Sequence, residues 1–313
     1  VVLAAATLAS PALSANCTKP ATFTGTICAP VTPGKHPAIV LLGGSEGGNS
    51  MTFGASQFAK QGYVAASVAY FGISSLPKIL ELVPVETVGG TLDALSKRAD
   101  VDQNKIALFG ISKGGELALL AASTYPQIHA VIAVVPSPFA WQSIGGNYQV
   151  PASSWTVAGK PLPFVPYAAV MGQSIGTSYA QHKPLDLRPG YVASMLDKNA
   201  VTTAMFHLEN IRGPVLCLSA QDDQIWDSST QCAMTISYLQ AQHHPYADAA
   251  EDFAGAGHVF LFSSPQHPFT QLDEDNVVVL LGGTAQANVA AAQAAWPKIF
   301  AFVAAALQAG SSP

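Results

Sequence analysis

The chain has 313 residues, 49% of them hydrophobic and only 11% charged, and a formal net charge of −5. That length accommodates one large domain or two small ones around a sizeable core. With 14 Lys+Arg and no basic run or stripe, the composition argues against a nucleic-acid-binding surface. No apolar run reads as membrane-spanning, since Trp296-Pro297-Lys298 interrupts the late Ala-rich segment that comes closest.

In chain order, the opening VVLAAATLASPALSA (1–15) reads as the tail of a secretory signal peptide. It has an apolar core, a Pro, and small residues at Ala12, Ser14 and Ala15 suited to cleavage, which places the mature start near Ala15 or Asn16. The expected location is secreted or periplasmic. Four cysteines fit that compartment. Cys17 and Cys28 bracket a short loop-plus-strand, whereas Cys217 falls on a late strand and Cys232 on the helix after it. Of the three possible pairings, Cys17–Cys28 and Cys217–Cys232 are favoured. Neither a C-x-x-C nor a nearby Cys/His pairing suggests zinc.

Residues 16–36 are polar, punctuated by Pro and Gly, and read as an edge hairpin. Ala38 to Leu42 is a continuous apolar strand, suited to burial on both faces of a parallel sheet, and it runs into a glycine-rich loop. A helix from about Met51 to Gln61, a strand from Tyr63 to Tyr70 and a helix from Val85 to Lys97 follow. Next come a strand at Ile106–Phe109, a turn at Gly110–Gly114, a helix to Ser123 and a strand from His129 to Val135. This strand–helix alternation predicts a doubly wound α/β sheet, in which ligands bind at the carboxyl ends of the strands.

Residues 136–190 break the rhythm. They hold several prolines and the aromatics Phe139, Trp141, Tyr148, Trp155, Phe164 and Tyr167, with little periodicity. Such an insertion reads as a lid or cap, or as an excursion with a small core of its own. Regularity returns at Tyr191–Lys198, then a strand at Pro214–Ser219, a helix at Ser228–Gln240 and a strand within Ala247–Phe253. A last helical region, Ala285 to Leu307, is expected to kink or restart at Pro297.

The chemistry centres on GISKG (110–114). This is a G-x-S-x-G turn between a strand and a helix, which forces Ser112 into a strained backbone conformation and exposes its Oγ. Glycines stand two residues either side because side chains there would meet neighbouring backbone. A serine nucleophile needs a base, and the base an orienting acid; in α/β-hydrolases, which carry this G-x-S-x-G elbow, they follow in the chain order Ser, acid, His, each on a loop after a strand. Strand PVLCLSA ends in Gln221-Asp222-Asp223-Gln224, and AEDFAGAGHVF places His258 after a glycine-rich turn. Asp223 is preferred as the acid, with Asp222 the alternative; Asp227 and Ser228 are better placed to cap the next helix. Of the eight histidines, His258 is the expected base. His243 and His244 follow an amphipathic helix and read as exposed. The oxyanion donors are expected to be the backbone N–H groups of Lys113 and Ser45. Glu46 beside them either braces the loop or faces substrate.

Several stretches resemble one family. They are LLGGSEGG (41–48), AYFGISSLPKILELVPVE (69–86), GISKGGELALLAAS (110–123), GPVLCLSAQDDQIWDS (213–228), GAGHVF (255–260) and GGTAQANVAAAQAAWPKIFAFV (282–303). The chain is similar to the C-terminal catalytic domain of the acyl-CoA thioesterase and bile acid-CoA:amino acid N-acyltransferase family, within the α/β-hydrolase fold. The resemblance implies Ser112 as nucleophile, His258 as base, an aspartate at 222–223 as acid, and neither metal nor organic cofactor. It implies a small acyl ester or thioester as substrate. A serine, where the amino acid transferases have cysteine, favours transfer to water. An acyl-CoA thioesterase, or an acyltransferase to an amine or alcohol, is the alternative expectation.

Overall fold

The computed structural model describes residues 15–146, 149–274 and 277–308. The expected signal segment up to Ser14 lies outside the described residues, as does Tyr148 of the insertion. The central sheet has eight strands: β1 (Ala15–Thr18), β2 (Gly25–Pro30), β3 (His36–Leu42), β4 (Val64–Val68), β5 (Val101–Ile111), β6 (Ala130–Val134), β7 (Val215–Ala220) and β8 (Ala249–Phe253). Their spatial order is β1-β2-β4-β3-β5-β6-β7-β8. The β1–β2 hairpin joins β4 antiparallel, and every neighbouring pair from β4 across to β8 is parallel. After β3 the chain steps to β4 on one side, then crosses to β5 on the other. That reversal opens a crevice at the carboxyl ends of β3 and β5, where such sheets hold ligands.

Helices α1 (Thr52–Lys60), α2 (Glu86–Ser96) and α3 (Lys113–Thr124) fill the crossovers of the first half. The second half supplies α4 (Ala169–Gln181), α5 (Arg188–Ser194), α6 (Lys198–Ala204), α7 (Ser228–Ala241) and α8 (Ala285–Gln308). Side chains alternate across each strand, so one run feeds two cores. Ala38, Val40 and Leu42 pack with Leu92 of α2 and Leu117 of α3. Ile39 and Leu41 pack with Phe58 of α1 and Ile299 of α8. Each large apolar side chain so buried contributes about 1.5–3 kcal/mol before entropy is counted. Both favoured disulfides are present: Cys17–Cys28 pairs directly across the β1–β2 ladder, and Cys217–Cys232 ties β7 to α7.

Three expectations need correction. Of the kink or restart expected at Pro297, the restart does not occur; α8 runs as one helix from Ala285 to Gln308 with the proline inside it. Packing holds it there: Trp296 stacks between Phe109 and Phe300, and its indole N–H donates to the Leu261 carbonyl at 3.1 Å. Unbroken, α8 is the one helix among the described residues long and apolar enough to cross a membrane by length and composition. Its stripe Ala291, Ala295, Ile299, Val303 and Leu307 is buried against the sheet, as in a core helix.

The insertion is also more ordered than its sequence suggests. Trp155–Val157 pairs with Lys160–Pro161 and with Val83–Pro84 in a three-stranded sheet, and α4 spans thirteen residues. Phe139, Trp141, Met171 and Tyr191 form a separate apolar cluster with Trp226. The expected Tyr191–Lys198 element is split in two. Helix α5 ends at Ser194, and α6 begins at Lys198, where Asp197 Oδ1 accepts the Ala200 N–H at 3.0 Å. A hairpin of Gln271–Glu274 with Val277–Leu280 was not anticipated.

Candidate active site

Ser112 stands between the end of β5 and the start of α3 with φ 55° and ψ −122°. A side-chain-bearing residue pays for that conformation, and the surroundings must hold it. The Ser112 N–H donates to the Val134 carbonyl at 2.9 Å, and the Ser112 carbonyl accepts the Glu116 N–H at 3.0 Å. A Cβ on Gly110 would collide with the Gly114 carbonyl, and one on Gly114 with the carbonyls of Gly43 and Leu42. The two glycines are therefore required by close backbone approach.

Three of the expected residues form one hydrogen-bonded chain. Ser112 Oγ lies 2.8 Å from His258 Nε2, and His258 Nδ1 lies 2.8 Å from Asp223 Oδ2. Ser112 is 8% exposed, His258 5% and Asp223 0%. The other Asp223 oxygen accepts the N–H groups of Ile225 at 2.9 Å and Trp226 at 3.1 Å. Asp222 points elsewhere. Its oxygens accept the Gln224 side-chain amide at 2.7 Å and the Gly283 N–H at 2.9 Å, bracing the turn before α8. Asp227, not either of these, caps α7 by accepting the Thr230 N–H. His244 is not exposed: its ring bonds Asp248 Oδ2 at 2.7 Å and the Ile211 carbonyl at 2.9 Å.

Of the two expected oxyanion donors, Lys113 directly follows the serine in the chain and Ser45 lines the same cavity. Lys113 begins α3, so its N–H has no carbonyl partner inside the helix. In the loop after β3, Tyr70 Oη donates to the carbonyls of Gly43 at 2.6 Å and Gly44 at 3.0 Å. Glu46 Oε1 takes the Gly44 N–H at 3.0 Å, so this carboxylate braces the loop, and Ser45 follows on the cavity wall. Burial, then the charges of Glu46 and Glu116, push the Tyr70 phenol well above its ordinary pKa and keep it a neutral donor.

Ser112 and His258 open onto a cavity of about 590 Å³. Its walls are mainly apolar, with Met171 and Ile175 of α4, Tyr191 of α5, and Leu272 and Val279 of the late hairpin. No Lys or Arg is among its described lining residues. Among the described residues, no group of three or more His, Cys, Asp or Glu is placed to hold a metal ion.

Residues 84–309 match the family described as BAAT / Acyl-CoA thioester hydrolase C terminal. The chain belongs to this family. Mouse mitochondrial acyl-coenzyme A thioesterase 2 is 26% identical over 280 residues, covering 88% of this chain and 57% of that protein. Human acyl-coenzyme A thioesterase 1 is 26% identical over 287 residues, covering 89% and 62%. The chain thus spans about three fifths of the length of these curated relatives. Among solved structures, a puromycin-hydrolyzing peptidase of Mycobacterium tuberculosis superposes with a TM-score of 0.53 at 15% identity, over 94% of this chain and 39% of that one. A dienelactone hydrolase-like promiscuous phosphotriesterase from metagenomic libraries gives 0.52 at 15% identity, over 93% and 99%. These neighbours share the α/β-hydrolase fold with this chain.

In this thioester hydrolase family member, several residues around the serine escaped the sequence reading. Asn288 of α8 is fully buried; its Oδ1 accepts the Gly257 N–H at 2.7 Å and its Nδ2 donates to the Pro268 carbonyl at 3.0 Å, fixing the loop that carries His258. Trp226 presents its ring edge-on to His258 at 5.6 Å and donates its indole N–H to the Val135 carbonyl at 3.1 Å. Lys113 and Glu116 form a buried ion pair on α3. For this pair a sequence signal existed: two opposite charges three apart, Lys113 and Glu116, at the head of the otherwise apolar run KGGELALLAAS (113–123). Asn288, in an Ala-rich helix, gave none.

Proposed function

We propose that this chain is an exported serine hydrolase that cleaves carboxylic esters or thioesters through an acyl-enzyme on Ser112. The observation that carries the reading is the Ser112–His258–Asp223 chain, with both contacts at 2.8 Å, at the edge of an apolar cavity. His258 Nε2 takes the Ser112 hydroxyl proton as Oγ attacks the acyl carbonyl. The carbonyl oxygen becomes an oxyanion held by the N–H groups of Ser45 and Lys113, each typically worth about 3 kcal/mol of barrier. Collapse breaks the bond to the leaving alcohol or thiol, which receives the proton from His258. Water then attacks the acyl-enzyme, His258 takes its proton and returns one to Ser112, and the acid leaves. Asp223 keeps the imidazole oriented and stabilises its positive charge; its second oxygen is committed to two backbone N–H groups. The scheme uses no cofactor. Two disulfides suit an oxidising compartment, in keeping with export.

A second reading, an acyl-CoA thioesterase with the same chemistry, is favoured by the names of the relatives. Against it stands a cavity without Lys or Arg among its described lining residues to meet the phosphates of CoA. The deciding experiment is a side-by-side rate comparison on purified protein, using p-nitrophenyl esters of increasing acyl length and the matching acyl-CoAs. Higher kcat/KM on the oxygen esters, with a length optimum, supports the esterase reading. A strong preference for acyl-CoA moves the function to the second. Loss of both, together with failure of Ser112 to label with a fluorophosphonate, overturns the serine mechanism.

A further inference from the structure

Helix α3 buries a charged pair that the proposed reaction does not use. The side chains of Lys113 and Glu116 are 1% and 0% exposed. Lys113 Nζ donates to Glu116 Oε2 at 2.7 Å and to Ser154 Oγ at 3.0 Å, and it sits 5.2 Å over the Trp155 ring. Glu116 Oε1 accepts the Trp141 backbone N–H at 3.0 Å and the Trp155 indole N–H at 2.5 Å. The Ser154 hydroxyl in turn lies 3.0 Å from the Trp141 carbonyl and 3.1 Å from that of Gln142. Burial lowers the Lys113 pKa and raises that of Glu116, each opposed by the partner's charge.

Ion pairs of this kind are poor investments in stability. Desolvating both charges cancels most of their attraction, and apolar residues of similar volume often do as well or better. What such a pair supplies is fixed geometry, and the groups it fixes are specific. The Lys113 main chain directly follows Ser112, and Gly114 and Gly115 behind it have no side chains to anchor the turn. Lys113 is therefore the first side chain after the nucleophile able to grip anything. At the far end of the network are Trp141, Ser154 and Trp155, all from the insertion. Three residues beyond Trp141, Ile144 lines the cavity.

Resting on the serine-hydrolase reading, we propose that Glu116 and the Lys113 side chain are positioning residues that lock the Lys113 backbone N–H, the oxyanion donor, to the insertion wall of the acyl cavity. Their loss is then felt where the oxyanion forms, and not in binding of the uncharged substrate. Misplacing one such donor, as opposed to deleting it, is expected to cost about 10- to 100-fold in kcat.

The test compares Glu116→Gln, Lys113→Met, the double variant and Ser154→Ala with the unsubstituted protein. Each is measured for kcat and KM on p-nitrophenyl butyrate, for inhibition by a trifluoromethyl ketone that binds as a tetrahedral oxyanion, and for melting temperature. Glu116→Gln is expected to lose about 10- to 100-fold in kcat and to weaken the ketone in parallel, with KM changed by less than about threefold. The double variant, which leaves no unpaired buried charge, should recover melting temperature but not kcat. Should Glu116→Gln fail to fold, Ser154→Ala carries the test, because it removes one anchor of the ammonium and keeps the ion pair. It should lower kcat and ketone affinity together, by about 3- to 10-fold. A folded Glu116→Gln protein with unchanged kcat overturns the proposal, as does a double variant whose kcat returns along with its melting temperature. Both results leave the hydrolase reading intact. Absence of turnover and of fluorophosphonate labelling in the unsubstituted protein overturns that reading, and this proposal with it.

Discussion

In the sheet, Ala38 to Leu42 reach complete burial with side chains that ask nothing of their neighbours except shape. In the insertion, Trp141 and Trp155 are equally buried, but each carries a ring N–H that must find an acceptor. Trp141 finds Gln231 Oε1 at 3.2 Å on α7, and Trp155 finds Glu116 Oε1 at 2.5 Å on α3. The core is thus held by area, and the insertion by its own apolar cluster together with keyed polar contacts that reach into the core helices. An apolar swap of similar volume in β3 should be tolerated, whereas a lost acceptor at the insertion boundary leaves a buried donor unpaired at about 1–3 kcal/mol. The proposed site lies on the seam: its chemistry stands on core loops, and its acyl cavity is walled largely by the insertion and the late hairpin.

The largest effect should come from the core side. Ser112→Ala and His258→Ala are each expected to lower kcat by about 10⁶-fold while the melting temperature stays near that of the parent. Activity within about tenfold of the parent in either variant would remove the residue from the mechanism. Next, Asp223→Asn should cost about 10⁴-fold, because it presents the wrong hydrogen-bond partner to His258 Nδ1. Asp222→Asn should cost less than about tenfold, since it only loosens the turn at Gly283. The opposite ranking would exchange the two assignments.

On the insertion side the expected effect is one of selectivity. Ile175 of α4 lines the cavity and takes no part in the Ser112–His258–Asp223 hydrogen bonds. Ile175→Trp should shorten the preferred acyl chain, lowering kcat/KM on long esters by about 10- to 100-fold and leaving acetate esters nearly unchanged. An equal loss across all chain lengths would mean that the insertion supports the catalytic groups and does not shape the acyl site.

How much of this could be read in advance follows the same division. The strands of the core were legible because burial on both faces of a parallel sheet demands continuous apolar runs, and β3 to β7 have them. The elbow was legible because its glycines answer to backbone collisions that any sequence must avoid. Asp222 and Asp223 could be ranked but not separated, since adjacent residues on one loop turn to opposite sides and only the three-dimensional turn says which side His258 occupies. The insertion was opaque for a different reason. Its aromatics pack on partners far away in sequence, such as Trp141 on Trp226 and Tyr191, and such contacts leave no period of two or 3.6 to detect. At Pro297 of α8 the restart allowed by the sequence is not taken, because the neighbouring Trp296 is packed between Phe109 and Phe300.

A smaller effect tests the covalent ties of the sheet. Cys17–Cys28 closes a separation of 11 residues and Cys217–Cys232 one of 15, so each should contribute about 3 kcal/mol. Reductant should lower the melting temperature by several degrees. Cys217→Ala should have a larger effect than Cys17→Ala, because Cys217 is fully buried on its strand whereas Cys17 is exposed. Unchanged melting under reductant would show that the bridges do not form in the purified protein.

The smallest expected effect lies at the end of α7. His244 was read as an exposed histidine at a helix end, yet it clasps Asp248, whose other oxygen accepts the Val215 N–H at 2.9 Å at the start of β7. Burial alone would lower its pKa, but the hydrogen bond to Asp248, the Ile211 carbonyl and the Asp248 charge together raise it. A histidine with a folded pKa above its unfolded value of about 6.5 favours the folded state below that pH, and loses the contribution as pH rises through the folded value. The contribution of His244 to stability should therefore fall as the pH is raised above about 6.5, so the melting temperature of the parent, compared with that of His244→Gln, should decline more steeply with pH in that range. Because the clasp belongs to the core and lies apart from the insertion, ester hydrolysis at a fixed temperature well below melting should keep the same pH profile in both proteins. A variant that changes the activity profile and not the melting slope would place His244 in communication with the site, and would break the separation between the two regions.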